Sequence, residues 1–92
     1  LVAGSVDAAV EKHVPVVSVD GAQVHVQVGE VEHPMTEEHL IQFVILVTEK
    51  GYQVAKLTAE DAPKADFVVA EGDAPLKVYE YCNLHGLWVA EL

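Results

Sequence analysis

Five side chains of this sequence could together bind a transition metal, because imidazole nitrogen and thiolate sulfur are ligands that such ions prefer. They are the single cysteine and four of the five histidines, namely His13, His33, His39, Cys82 and His85. Cys82 and His85 form a Cys-x2-His segment followed by Gly86, and two donors at this spacing on a tight turn can reach one ion. A histidine taken alone is more commonly an exposed or hydrogen-bonded surface residue. The metal hypothesis therefore depends on the whole set.

The number of candidate ligands favours iron over zinc and copper. A structural zinc site is complete with four ligands. A blue-copper site uses two histidines, a cysteine and a weak axial methionine, but Met35 precedes the Cys82 segment instead of following it. Five nitrogen and sulfur donors suit iron with a square of imidazoles, a thiolate on one axis and a vacancy for a small ligand on the other. A cupredoxin-like electron-transfer protein is the alternative, and an immunoglobulin-like structural module with incidental histidines is a third reading.

Short strands must position these residues. The chain contains 18 valines, and β-branched residues favour strands over helices. Turn signals at Asp20-Gly21 and Lys50-Gly51 separate runs of strand character, and one helical turn is expected near Thr36 to His39. The predicted strands are His13 to Asp20, Gln23 to Val28, Leu40 to Thr48, Tyr52 to Leu57, Ala65 to Ala70, Leu76 to Tyr81 and Leu87 to Ala90. About seven short strands predict an all-β, immunoglobulin-like antiparallel β-sandwich, with the candidate ligands at strand ends and in loops.

Composition and charge exclude several classes of protein. Fifteen acidic against five basic residues give a net charge of −10, which would repel nucleic acid and anionic membranes. A length of 92 residues with 51% apolar residues predicts one folded domain over residues 1–92. We expect a soluble, cytoplasmic protein, since no apolar run reaches the roughly 20 residues that span a bilayer and the N-terminus lacks signal-peptide features. The single cysteine cannot form an internal disulfide, which agrees with a reducing compartment.

Three segments resemble one known family. They are Glu11 to Pro15, Val28 to His39 and Glu80 to Trp88, and in this order and spacing they are similar to the superoxide reductases, the family of desulfoferrodoxin and neelaredoxin. The resemblance covers about Val6 to Val89. It implies an immunoglobulin-like sandwich that binds one mononuclear iron, with Cys82 as the axial ligand and with His13, His33, His39 and His85 as the equatorial ligands.

The resemblance also implies an activity. In this family, ferrous iron, superoxide and two protons give ferric iron and hydrogen peroxide without release of dioxygen, and an outside donor, commonly a rubredoxin, restores the ferrous state. Lys12 would attract superoxide and help to protonate the product, and Glu11 would occupy the sixth position of ferric iron. Family members form homo-oligomers, dimers or tetramers. Residues 1–9 resemble the connector that follows an N-terminal four-cysteine iron domain in desulfoferrodoxins, and no such domain is present in these residues.

Other positions receive weaker predictions. Backbone N–H groups of Leu84 and His85 are expected to donate hydrogen bonds to the Cys82 sulfur, as turns around metal thiolates commonly do. His25 alternates with buried valines and should face solvent. Four aromatic residues are expected in the core or in a subunit contact, namely Phe43, Tyr52, Phe67 and Trp88.

Overall fold

The computed structural model describes residues 13–29 and 33–92, which form seven β-strands in two antiparallel sheets. The strands are β1 (Pro15–Asp20), β2 (Gln23–Val28), β3 (Ile41–Thr48), β4 (Tyr52–Lys56), β5 (Lys64–Val68), β6 (Pro75–Cys82) and β7 (Gly86–Glu91). One sheet has the order β1-β2-β5 and the other β4-β3-β6-β7. The all-β prediction is confirmed. The predictions for residues 1–9, Glu11 and Lys12 lie outside the described residues.

The core lies between the two sheets and follows the period of two that strands impose. In β2 the side chains of Val24, Val26 and Val28 are buried, whereas His25 on the opposite face is exposed. Apolar residues of the second sheet complete the cluster, among them Leu46 and Val78, both fully buried. The expected exposure of His25 is thus confirmed, and the alternation fixes which face of each strand enters the core.

The pairing of β4 differs from the arrangement of a constant-type immunoglobulin domain. In such a domain the fourth strand belongs to the sheet of the first two, whereas here β4 pairs with β3. Tyr52 on this edge strand is 73% exposed, so it is not a core residue, while Phe67 is buried in the core. No helix within the described residues has the length and hydropathy to cross a membrane.

The antiparallel register brings all the candidate ligands to one end of the sandwich. Pro15 at the start of β1 pairs with Val28 at the end of β2, and Ile41 at the start of β3 pairs with Cys82 at the end of β6. His13 therefore lies beside the β2–β3 connection, which carries His33 and His39. The turn from β6 to β7, which carries His85, lies at the same end because Cys82 pairs with Gly86.

The segment before β3 is a tight turn and not the expected helical turn. The Thr36 N–H donates to the His39 carbonyl at 2.9 Å, and the His39 N–H donates back to the Thr36 carbonyl at 3.2 Å. The Thr36 hydroxyl oxygen also accepts the His39 N–H at 3.1 Å. A threonine side chain that competes for backbone groups in this way favours a turn over a helix. The turn fixes His39 directly before β3.

Candidate metal centre

The four imidazole rings lie at the corners of a square. Neighbouring ring centroids are separated by 4.7 Å (His13–His33), 4.6 Å (His33–His39), 5.0 Å (His39–His85) and 4.8 Å (His85–His13). The diagonal from His13 to His39 is 6.4 Å. Neighbouring rings are inclined by 75° to 90°, while the rings on that diagonal are inclined by only 31°. This is the arrangement in which four imidazoles can turn their nitrogens toward one centre.

The separations between donor atoms fit a single ion. His13 Nε2 lies 3.2 Å from His33 Nε2 and 3.1 Å from His85 Nδ1. Metal–nitrogen bonds of about 2.1 Å place adjacent donors about 3 Å apart. Cys82 Sγ lies 3.9 Å from His85 Nδ1, and the donor atoms of His13, His39, Cys82 and His85 all lie within 4.8 Å of one another. The structure thus brings the predicted ligands together. His33 adjoins this group because its Nε2 lies 3.2 Å from His13 Nε2.

His33 has its tautomer set by the backbone. Its Nδ1 lies 2.7 Å from the Pro34 carbonyl oxygen, and because a carbonyl can only accept, Nδ1 carries the proton in this contact. In the neutral ring Nε2 then has its lone pair available for a metal. The pKa of His33 is lowered to about 4, first by burial and then by the neighbouring histidines His13, His39 and His85, against the raising effect of the Pro34 hydrogen bond. The ring is therefore neutral near pH 7 and suited to coordination.

Cys82 is a buried thiol at the end of β6. Burial raises its pKa, hydrogen bonds from the backbone N–H groups of Leu84 and His85 lower it, and the nearby Glu80 carboxyl raises it. The two predicted N–H groups therefore act on the sulfur in the expected direction. Burial disfavours the free thiolate, so a bound cation is the natural means of keeping this sulfur deprotonated.

Asn83 joins the two loops that carry ligands, a role that the sequence did not reveal. Its side-chain oxygen accepts the Leu40 N–H at 3.0 Å, and its side-chain nitrogen donates to the Glu38 carbonyl at 3.0 Å. Its own N–H donates to the Leu40 carbonyl at 3.2 Å. Because Asn83 follows Cys82 and Leu40 follows His39, these bonds hold the two ligands in register. The available signal was an asparagine inside the Cys-x2-His turn, but its partners lie 43 and 45 positions away.

Glu80 and Trp88 lie behind the ligands on the inner face of the four-stranded sheet, where they pair across β6 and β7. Within residues 13–29 and 33–92 the Glu80 carboxyl has no hydrogen-bond partner, and burial raises its pKa to about 9, so it is neutral near pH 7. Trp88 is 5% exposed and stacks on His13, with ring centroids 5.0 Å apart. The sequence predicted Trp88 in the core or in a subunit contact. The side chain is buried, and it packs against His13 of the candidate metal centre.

Two other predicted features lie apart from the cluster. His25 Nδ1 is 2.6 Å from Asp66 Oδ1 on the outer surface of the three-stranded sheet, which agrees with its expected absence from the ligand set. The Met35 sulfur accepts the Ile41 N–H at 3.4 Å and packs against the core cluster. In this position the sulfur is engaged by the backbone of β3, which does not favour the copper alternative.

Comparison with known proteins agrees with this site. Residues 5–91 match the family model for desulfoferrodoxin. A desulfoferrodoxin from Clostridium acetobutylicum is 48% identical over the whole chain, which covers 71% of that protein. A superoxide reductase from Pyrococcus abyssi is 35% identical, with 89% of this chain and 86% of that one covered. The crystal structure of the superoxide reductase from Treponema pallidum matches 99% of this chain and 75% of its own at 49% identity, with a TM-score of 0.95.

The fold and the site define an oxidoreductase of the superoxide reductase type with a candidate iron centre. The chain belongs to the desulfoferrodoxin family. Because this family binds iron, the membership decides between the iron and copper readings in favour of iron.

Proposed function

We propose that this chain reduces superoxide to hydrogen peroxide at one iron ion held by His13, His33, His39, His85 and Cys82. The square of imidazole rings, with the Cys82 sulfur beside it, is the observation that carries the proposal. When bound, iron supplies the single electron that superoxide takes up, and two protons complete the peroxide. These five residues would hold the ion and would leave room at it for a small ligand.

The protein's own groups prepare the site before substrate arrives. The Pro34 carbonyl holds the His33 ring in one tautomer and one orientation. The N–H groups of Leu84 and His85 direct partial positive charge at the Cys82 sulfur and so limit how strongly that sulfur donates electron density. Burial of His13, His33 and Cys82 excludes water from their side of the site.

Glu11 and Lys12 complete the proposal on the substrate side. Both directly precede the proposed ligand His13 in the chain. The net charge of −10 would repel an anionic substrate, but salt screens distant carboxylates beyond about 8 Å. Lys12 beside a bound cation can therefore attract superoxide locally and assist its protonation. Glu11 is proposed as a group that would bind the oxidised ion when no substrate is present.

The electron must come from a donor outside these 92 residues. These 92 residues contain one cysteine, so they cannot form a second iron site with four cysteine ligands. We propose a small rubredoxin-type protein as the donor and the reducing cytoplasm as the compartment. The buried thiol of Cys82, which forms no disulfide, supports the proposed reducing compartment.

We further propose that the protein is a homodimer joined through the outer face of the four-stranded sheet. One row of this face is apolar across all four strands, from Val54 through Ile45 and Tyr79 to Val89. The charged side chains of the face are Lys56, Lys77 and Glu91, which leave it slightly positive while the chain carries −10. Two acidic copies can therefore approach with least repulsion on this face, and it is also an apolar surface of the kind that marks interfaces.

The proposal is tested by loading the metal-free protein with ferrous iron under anaerobic conditions and then oxidising it. We expect one iron per chain and a visible thiolate-to-iron absorption band, which Cys82→Ser abolishes because serine offers no sulfur donor. Leu84→Ala serves as the matched control, since Leu84 is 58% exposed in the same turn and its substitution keeps both the sulfur and the backbone N–H. Protein that takes up copper but no iron, or a band that survives in Cys82→Ser, would refute the proposed site.

A further inference from the structure

Trp88, the single tryptophan of the chain, contacts two of the proposed ligands in different ways. Its ring stacks on the His13 imidazole, with centroids 5.0 Å apart and planes inclined by 25°. Its indole N–H donates a hydrogen bond to the His85 carbonyl oxygen at 3.1 Å. An indole has no lone pair to offer a metal, so Trp88 cannot be a ligand itself.

These two ligands come from different sheets. His13 precedes β1 of the three-stranded sheet, whereas His85 lies in the turn between β6 and β7 of the four-stranded sheet. Yet His13 Nε2 and His85 Nδ1 are only 3.1 Å apart. A separation suited to adjacent ligands of one ion thus depends on how the two sheets are held together at this end. Trp88 lies at that junction, on the inner face of β7 and 5% exposed.

Stacking fixes the plane of the His13 ring, and the plane of an imidazole fixes the direction of its nitrogen lone pair. The hydrogen bond to the His85 carbonyl fixes the backbone that carries the second ligand. Groups that orient metal ligands in this way commonly change metal affinity 10-fold to 100-fold when they are removed. Filling of core volume alone would change only the stability of the fold.

We propose that Trp88 is a positioning residue that sets the angle between His13 and His85 and thereby sets the metal affinity of the centre. The inference rests on the proposed metal site. One side chain thereby positions both ligands, because the ring of Trp88 orients His13 and its N–H orients His85.

The test compares three variants of the full chain by Co²⁺ titration of metal-free protein against a competing chelator. Trp88→Leu removes the stacked ring and the N–H, and we expect it to weaken Co²⁺ binding about 10-fold to 100-fold. Trp88→Phe keeps a ring over His13 and should weaken binding less. Phe67→Leu is the control, since Phe67 is equally buried in the core on β5 and should leave the affinity within about twofold even where its melting temperature falls.

Two spectroscopic readouts distinguish positioning from packing. The thiolate-to-Co²⁺ band should shift in Trp88→Leu and stay in place in Phe67→Leu, because only the first changes the ligand geometry. In the unsubstituted protein, Co²⁺ binding should quench the Trp88 fluorescence in proportion to occupancy, a measurement that needs no variant to fold. Equal affinity losses in Trp88→Leu and Phe67→Leu, or unchanged tryptophan emission on binding, would overturn the inference. Failure of the unsubstituted protein to bind Co²⁺ at all would instead refute the metal site.

Discussion

At the scale of single residues, the site is organised by contacts that leave each ligand one orientation. The Pro34 carbonyl fixes His33, two backbone N–H groups fix the Cys82 sulfur, and the Trp88 ring lies on His13. The Pro34 carbonyl and the two N–H groups lie within three positions of the ligand that they contact, whereas Trp88 reaches His13 from the other sheet. The ligand types and the two N–H groups were predicted from the sequence, but the contact of Trp88 with His13 depends on how the two sheets pack.

Lys12 gives the clearest prediction at this scale. Lys12→Ala should slow superoxide consumption by iron-loaded protein about 10-fold or more, because one ammonium beside the substrate position contributes both attraction and proton transfer. Iron content and the thiolate band should not change. The rate is measured by pulse radiolysis at several ionic strengths.

Lys64→Ala is the matched control for Lys12→Ala. It removes the same charge from the exposed start of β5, which pairs with Gln27 at the metal end of the three-stranded sheet but adjoins no ligand in the chain, and should react at nearly the parental rate. If Lys12→Ala and Lys64→Ala react alike, the effect is one of net charge and the proposed role of Lys12 is wrong.

At the scale of elements, the end of the sandwich opposite the metal centre is held by Asp73. Its carboxylate accepts hydrogen bonds from the Thr48 hydroxyl at 2.7 Å, the Lys50 N–H at 3.1 Å and the Ala74 N–H at 2.8 Å. The bonds join the β3–β4 turn to the β5–β6 loop. The Thr48 hydrogen bond is the main cause that holds the pKa of Asp73 below its usual value of 3.8.

This lowered pKa predicts how the stabilising effect of Asp73 depends on pH. The folded state favours the carboxylate, so the contribution is fully present above the unfolded pKa of about 4 and is lost as the pH falls through the lower folded pKa. Asp73→Ala should therefore lower the melting temperature at pH 7, and the difference from the parent should shrink below about pH 4. Glu71→Ala, which removes a charge from the same loop, is the control. A difference that stays constant down to pH 2 would contradict this reading.

The elements also show how far the sequence could predict the fold. The alternation in β2 and the turn at Asp20-Gly21 predicted the first hairpin correctly, because burial of one face fixes the register. The turn at Lys50-Gly51 likewise predicted the reversal from β3 into β4, which pair as neighbours, but the 73% exposure of Tyr52 on this edge strand did not follow from the pattern. The turn at Thr36 to His39 was misjudged because its side-chain hydrogen bond to the backbone overrides a weak local helical preference.

The candidate site was predictable in its ligands and not in its surroundings. His13, His33, His39, Cys82 and His85 stood out as the metal-binding residue types at strand ends. Asn83, Glu80 and Trp88 did not, because their importance comes from partners on other strands. The predictions for Glu11 and Lys12 lie outside the described residues and remain proposals.

At the scale of the whole molecule, the outer face of the four-stranded sheet is the proposed dimer interface. Val54 is 48% exposed on the edge strand β4 and belongs to the apolar row that crosses this face of the sheet. Val54→Glu should convert the proposed dimer to a monomer, because a charge buried in the interface without a partner costs several kcal/mol. Size-exclusion chromatography with light scattering measures the mass.

Val16→Glu provides the comparison for the assembly test. Val16 is 42% exposed on β1 of the three-stranded sheet, so the same substitution there should leave the mass unchanged. An unsubstituted protein that is monomeric at all concentrations, or a dimer that survives in Val54→Glu, would exclude this face as the interface.

The most direct test of the central claim is the yield of hydrogen peroxide per superoxide consumed by the reduced, iron-loaded protein. A reductase takes its electron from iron, so we predict one hydrogen peroxide for each superoxide and no release of dioxygen. One hydrogen peroxide for every two superoxides, with dioxygen evolved, would show dismutation and contradict the account.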